Sequence, residues 1–203
     1  PERKLLISLL VTAWGLRLSI YIWWRNHGKP EDFRYQKWRR ENGSSWWWRS
    51  FFQVFILQGL LAWIISIPLL VAQVATQPAR LGWLDFAGIL LWAIGFFFES
   101  AGDWQLARFK ANPANRGKVL QDGVWRYARL PYYVGDSAQW WGYCLVAAAA
   151  GAWWTVYSPI LMTFLLLRVS GVALLEKTLE TRPQYRDYIE KTSAFIPWFP
   201  KRQ

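Results

Sequence analysis

The chain is poor in the residues that build metal centres and disulfide frameworks. Among 203 residues there is one cysteine, Cys144, and one histidine, His27. A lone cysteine excludes an intramolecular disulfide and a cysteine zinc cluster. A lone histidine excludes a multi-histidine metal site and leaves no room for a Ser-His-Asp arrangement away from His27. Cys144 sits in an apolar run and reads as a buried bystander. His27 falls at a helix-to-loop junction and reads as solvated. No glycine-rich phosphate loop of Rossmann or P-loop spacing occurs. There is no internal repeat, no low-complexity linker and no DNA- or RNA-binding motif, so a nucleic-acid partner is not expected. The chain begins at Pro1 without a cleavable signal pattern, and the natural protein is expected to start further upstream.

Apolar and aromatic residues are abundant. Hydrophobic residues make up 54% and aromatics 19%, with 17 Trp. The apolar runs are too long for an ordinary soluble domain, and tryptophan at this density suits both a core and membrane-interface belts. The sequence predicts an all-α integral membrane protein, a single domain over 1–203, with five spans. These are Leu5 to Trp24, Phe51 to Ala75 with Pro68 as a kink, Trp83 to roughly Lys110, Tyr133 to Ala150, and Ser158 to about Leu175. About 20 residues at 1.5 Å rise cross the hydrocarbon core.

The net charge is +11, from 24 Lys and Arg against 13 Asp and Glu. The excess lies between the apolar runs. Connectors 25–49, 108–131 and 177–203 carry seven, six and six basic residues, whereas 76–82 and 151–157 carry one and none. This alternation follows the positive-inside rule and predicts an outside N-terminus and a cytoplasmic C-terminus. Within 25–49, Pro30-Glu31-Asp32 has the composition of a helix start. The tail ends in TSAFIPWFP, which should lie on the membrane surface.

Against this background, the ionisable residues inside the spans are costly and point inward or to water. Arg17 and Tyr21 are four apart and share a helix face. Glu99 and Asp103 do likewise, and would repel unless one meets a cation or is protonated. Arg168 and Glu176 can share a face of the fifth span. The segment DGVWRYARLPYYVGDSAQWWGY, from Asp122 to Tyr143, gathers Arg126 and Arg129 among aromatics, breaks at Pro131 and carries Asp136 and Gln139 into the bilayer. Arginines suit phosphates, tyrosines stack, and buried carboxylates hold hydroxyl or amide groups. The pattern fits a large anionic cofactor better than a simple ion. A transporter or a lipid-binding scaffold is the other reading of the same residues.

Four segments carry a family resemblance: GLRLSIYIWWRNHGKPEDFRYQKWR, FESAGDWQLARFK, the Asp122 segment through Gly142, and LLEKTLETRPQYRDYIEKTSAFIPWFP. Together they resemble the bacterial membrane family related to steroid 5α-reductases, formerly a domain of unknown function. The last alone also resembles isoprenylcysteine methyltransferases. The resemblance implies a helical membrane fold, typically of seven spans, in a bacterial inner membrane. It implies that loops and tail form a cytoplasmic cap holding NADPH, and that a double bond conjugated to a carbonyl is reduced in a hydrophobic, bilayer-borne, steroid-like or other lipid substrate.

Carried over by position, the resemblance implies cofactor contacts from Arg17, Tyr21, Asp103, Arg126, Arg129, Tyr133, Asp136, Glu176, Arg182 and Tyr185. The catalytic residue and the proton donor are not identified; Tyr35 is a candidate for the hydrogen-bond donor that polarises the carbonyl. Three departures stand out. Leu130 and Tyr132 replace the histidine and asparagine of the arginine-histidine-proline-asparagine-tyrosine motif. Trp14 stands where steroid reductases carry a catalytic tyrosine. The upstream helices with the family's catalytic glutamine–glutamate pair are absent from this chain. An S-adenosylmethionine-dependent membrane methyltransferase and a non-catalytic member that keeps the fold are the alternatives.

Overall fold

The computed structural model describes residues 2–170 and 183–200, and every element among them is helical. Helix α1 (Glu2–Asn26) is followed by α2 (Phe33–Asn42), whose Asp32 cap accepts the Arg34 N–H at 2.9 Å. The helix start therefore falls at the acidic pair after Pro30, as its composition predicts. Helix α3 (Trp46–Ser50) runs through a π-helical turn (Phe51–Ile56) into α4 (Leu57–Ile65). The second run thus begins earlier than its apolar stretch suggests. It stops at Ser66, and Pro68 opens the first turn of α5 (Ile67–Val74) instead of kinking a continuous helix. A proline lacks the N–H that a first turn leaves unbonded, so the break costs little there.

Helix α6 (Trp83–Ala111) and helix α7 (Pro131–Ala149) form the central pair, and α8 (Tyr157–Phe164) continues as a π-helical turn (Leu165–Ser170). Helix α9 (Pro183–Lys191) precedes an irregular tail. Among the described residues three helices are long and apolar enough to cross a membrane: Glu2–Asn26, Arg34–Ile65 and Trp83–Ala111. Helix α7 is shorter and mostly buried, and Trp153–Val169 is a shorter apolar helix. Exposed large apolar side chains run along α1, the π-turn and α4, and the outward face of α6, among them Leu9, Leu16, Phe55, Leu60, Trp63, Leu90 and Phe97. Apolar surface on that scale belongs against lipid. The molecule is an all-helical membrane bundle.

Glycine sets the spacing of the central pair. Gly88, Gly95 and Gly102 recur every seven residues on α6 and meet Gly142, Gly135 and Pro131 of the antiparallel α7. A Cβ on Gly95 would lie 2.5 Å from the Gly135 carbonyl oxygen, and one on Gly88 would lie 2.7 Å from that of Gly142. Without side chains in the way, dispersion and close backbone approach hold membrane helices together. Trp92, Trp140, Tyr143, Val146 and Ala147 fill the core beside this seam, joined by Ile7 and Ile65.

The end of the bundle away from the basic loops is closed by a buried ion pair. Arg3 donates to both carboxylate oxygens of Asp85 at 2.8 and 2.9 Å, and to the Pro78 carbonyl at 3.0 Å. Asp85 also accepts the Gly82 N–H at 2.8 Å. At the same end Ser158 and Tyr157 donate to the Ile65 and Ile64 carbonyls, tying α8 to α4.

Candidate functional site

The ionisable residues sunk in α1, α6 and α7 meet at one place. Arg17 donates through Nη1 to Glu99 Oε1 at 2.7 Å and through Nη2 to Asp103 Oδ2 at 2.6 Å and to the Glu99 carbonyl at 2.9 Å. The repulsion expected between Glu99 and Asp103 is relieved by a cation from the first helix. Glu99 is 5% exposed and accepts two more hydrogen bonds, from Trp14 Nε1 at 3.2 Å and from Gln139 Nε2 at 2.6 Å. A carboxylate with this many donors is stable in a low dielectric; one without them is not. Trp14 is thus a hydrogen-bond donor to Glu99, and its ring meets Trp140 edge-on at 6.4 Å.

Asp136 lies next to this set on α7, within electrostatic reach of Glu99 and Arg17 and beside the Trp140 indole. Its Oδ1 is buried without a hydrogen-bond partner. The Oε1 of Gln139 is in the same condition. Such atoms are rare in a finished core and mark places where a donor is missing. Tyr21 lies under the guanidinium groups of Arg17 and Arg25, at 5.5 and 5.6 Å from its ring centre, and adjoins Asp103.

Toward the basic end a cavity of about 450 Å³ opens under the loop 111–120. Lys110, Arg116, Lys118 and Arg129 give it four cations, and Trp125, Tyr132, Tyr185 and Tyr188 give it aromatic walls. Tyr132 lines the cavity and is within electrostatic reach of Asp103. Its ring packs against Trp125 and Tyr133, with centres at 5.7 and 4.4 Å. Trp125 is fixed in turn by its Nε1, which donates to the Gly102 carbonyl at 3.2 Å.

The tail closes the far wall. The Tyr188 hydroxyl donates to the Trp125 carbonyl, and burial pushes that phenol above its ordinary pKa. Arg129 Nη1 donates to the Ile189 and Thr192 carbonyls at 2.9 and 3.1 Å, at the carbonyl end of α9. The backbone adds Arg129 N–H to Ser193 and Trp198 N–H to Tyr127. Arg129 therefore both borders the cavity and holds the tail.

The residues singled out in the sequence fall into three groups. Arg17, Tyr21, Asp103 and Asp136 lie together with Glu99. Arg129 and Tyr185 line the cavity, and Tyr133 is half-buried beside Tyr132 with Arg34 of α2 nearby. Arg126 is exposed on the surface, and Tyr35 sits in α2 with its ring edge-on to Trp38 at 5.8 Å. Glu176 and Arg182 lie outside the described residues, as does the partner expected for Arg168, which is itself exposed. No grouping of metal-ligating side chains occurs among the described residues.

Sequence reasoning underrated Glu99, which is the hub of the cluster; Trp14, which can donate a hydrogen bond where the relatives carry a tyrosine, donates to it. The cations of the 111–120 loop, Arg116 and Lys118, were counted for topology alone. The i, i+4 spacing of Glu99 and Asp103 and the basic loop were the available signals.

The fold and site define a helical membrane protein with a charged pocket at its basic end. The chain belongs to the family described as "Protein of unknown function (DUF1295)", which matches residues 1–192. It is 24% identical to the uncharacterized protein C594.04c of Schizosaccharomyces pombe, over 97% of this chain and 64% of that protein. It is 28% identical to the Delta(14)-sterol reductase ERG24A of Gibberella zeae, over 49% of this chain and 24% of that protein. The chain thus spans just under two thirds of the first of these curated relatives and about a quarter of the second. No solved structure matches.

Proposed function

We propose that the protein is a membrane oxidoreductase that uses NADPH to reduce a carbon–carbon double bond in a hydrophobic, sterol-like substrate. The observation that carries this reading is one juxtaposition. A carboxylate cluster with unmet hydrogen-bonding capacity and a cavity of about 450 Å³ lined by cations and aromatic rings are linked through Tyr132, which lines the cavity within electrostatic reach of Asp103. That volume lies in the range of roughly 300–1,000 Å³ typical of cofactor and ligand pockets. Membership of the family and the partial similarity to a sterol reductase support the same reading.

The residues present fit the cofactor at both ends. Lys110, Arg116 and Lys118 supply charge for phosphates, and Trp125, Tyr132 and Tyr188 supply faces on which an aromatic base can stack. The free Oδ1 of Asp136 and the Oε1 of Gln139 accept hydrogen bonds, which suits ribose hydroxyls or a carboxamide. When bound, the cofactor supplies a hydride. The chain's own part is to orient it, to exclude water through the aromatic wall, and to hold Glu99 and Asp103 in place through Arg17. In this reading the basic end faces the cytosol, where the cofactor is available.

The test is turnover in lipid nanodiscs. NADPH absorbance should fall when a sterol with a conjugated or ring double bond is added, and Asp103→Asn should slow it. Failure of every such acceptor, with NADPH still bound, would leave a binding protein in place of a reductase. Transfer of a methyl group from S-adenosylmethionine would replace the proposal outright.

A further inference from the structure

A second recess lies at the end of α6 beside the proposed cofactor cavity, with which it shares Phe109, Asn112, Asn115 and Leu120. It is an open groove of about 690 Å³, between the last turns of α6 and the segment 112–123. Trp104, Arg108 and Phe109 form one wall and Asn115, Leu120 and Asp122 the other. The walls are built, not incidental. Gln105 Oε1 accepts the Val124 N–H at 3.1 Å, Asn115 Nδ2 donates to the Phe109 carbonyl at 2.9 Å, and Asn112 accepts the Ala114 N–H at 3.0 Å. Gly123, with φ of 63°, turns the chain so that Asp122 reaches the groove.

The groove sits where a lipid headgroup would be. Trp83, Phe86, Leu90, Ile94, Phe97 and Trp104 form an exposed stripe up one face of α6. The rise from Trp83 to Trp104 is about 30 Å, the thickness of the hydrocarbon core. Trp104 is thus an interfacial residue, and Arg108, one turn further, is level with the phosphates. Its guanidinium lies 5.4 Å from the Trp104 ring centre. Neither Arg108 nor Asp122 makes an ion pair among the described residues.

We propose that this groove binds an aminophospholipid of the basic-end leaflet, with its phosphate on Arg108, its ammonium on Asp122 and its acyl chain along the Phe97 stripe. A cation and an anion on facing walls match a zwitterionic headgroup. An anionic headgroup without an amine would meet Asp122 unfavourably. A quaternary choline would reach Asp122 with no N–H to donate.

The experiment is native mass spectrometry of the detergent-solubilised protein titrated with phosphatidylethanolamine, phosphatidylglycerol and phosphatidylcholine of equal chain length. The wild type should bind the ethanolamine lipid most tightly. Arg108→Gln should weaken it about tenfold, the loss of one charge-assisted hydrogen bond. Asp122→Asn should abolish the preference for ethanolamine over glycerol. Lys4→Gln, at the opposite end, is the charge-loss control and should change nothing. Equal binding of the three lipids, or an unchanged preference in both groove variants, would overturn the proposal. Near-ultraviolet dichroism of each variant confirms that its tryptophans remain packed, so lost binding is read at the groove.

Discussion

Replacing Arg17 by Met removes the one cation shared by two carboxylates. The Arg17 side chain is 16% exposed, Glu99 7% and Asp103 14%, so solvent screens the cluster only in part. Breaking a buried pair by deleting one partner costs about 3–5 kcal/mol; the residual exposure puts this case near the lower end, about 3 kcal/mol. For a chain of this length that is a fall of roughly 6–12 °C in melting temperature. The cost comes from the carboxylates left behind, so removing one of them should restore part of the loss. Glu99→Gln keeps an oxygen for the Trp14 and Gln139 donors and takes away the charge. The double variant should therefore be more stable than the sum of the single changes implies, a coupling of at least about 1 kcal/mol. Intrinsic fluorescence of the 17 tryptophans reports the melt directly. If R17M melts with the wild type, or if the two substitutions simply add, the three side chains are not an electrostatic unit and the reasoning fails.

Three further outcomes follow from other parts of the structure. Gly95→Ala forces a methyl against the Gly135 carbonyl and should cost about 1–3 kcal/mol. Gly59→Ala, where a Cβ meets nothing within 4 Å, should be neutral or stabilising by up to about 1 kcal/mol, and parallel thermal melts distinguish the two. Tyr188→Phe deletes the bond to the Trp125 carbonyl, costs about 1 kcal/mol and should speed protease cleavage of the tail, read by mass spectrometry. Cys144 is 5% exposed and should resist a water-soluble maleimide until the protein is unfolded in dodecyl sulfate.

The apolar runs, the charge alternation and the i, i+4 pair on α6 made the membrane-helical class and part of the site legible, because each is a local pattern. What was not legible depended on partners far apart in sequence. Arg3 and Asp85 are 82 positions apart, and nothing near either residue announces the pair. That Arg17 answers Glu99 as well as Asp103 follows from where α1 crosses α6, not from spacing. Arg129 illustrates a different limit. A guanidinium beside aromatics suits phosphate oxygens and helix-terminal carbonyls alike, and the structure directs its Nη1 to the carbonyls of Ile189 and Thr192. The glycine heptads on α6 and α7 were visible in the sequence, but their meaning required knowing that the two helices are antiparallel neighbours.

The proposed activity requires the charged cluster and the cationic cavity to act as one cofactor site. Calorimetric titration of NADPH into the purified protein, beside R17M and a variant with Arg116 and Lys118 both changed to Ala, addresses this most directly. Saturable one-to-one binding in the wild type, weakened about tenfold or more by each variant, is the expected result. No saturable heat at millimolar NADPH, or equal affinity in all three proteins, would contradict it.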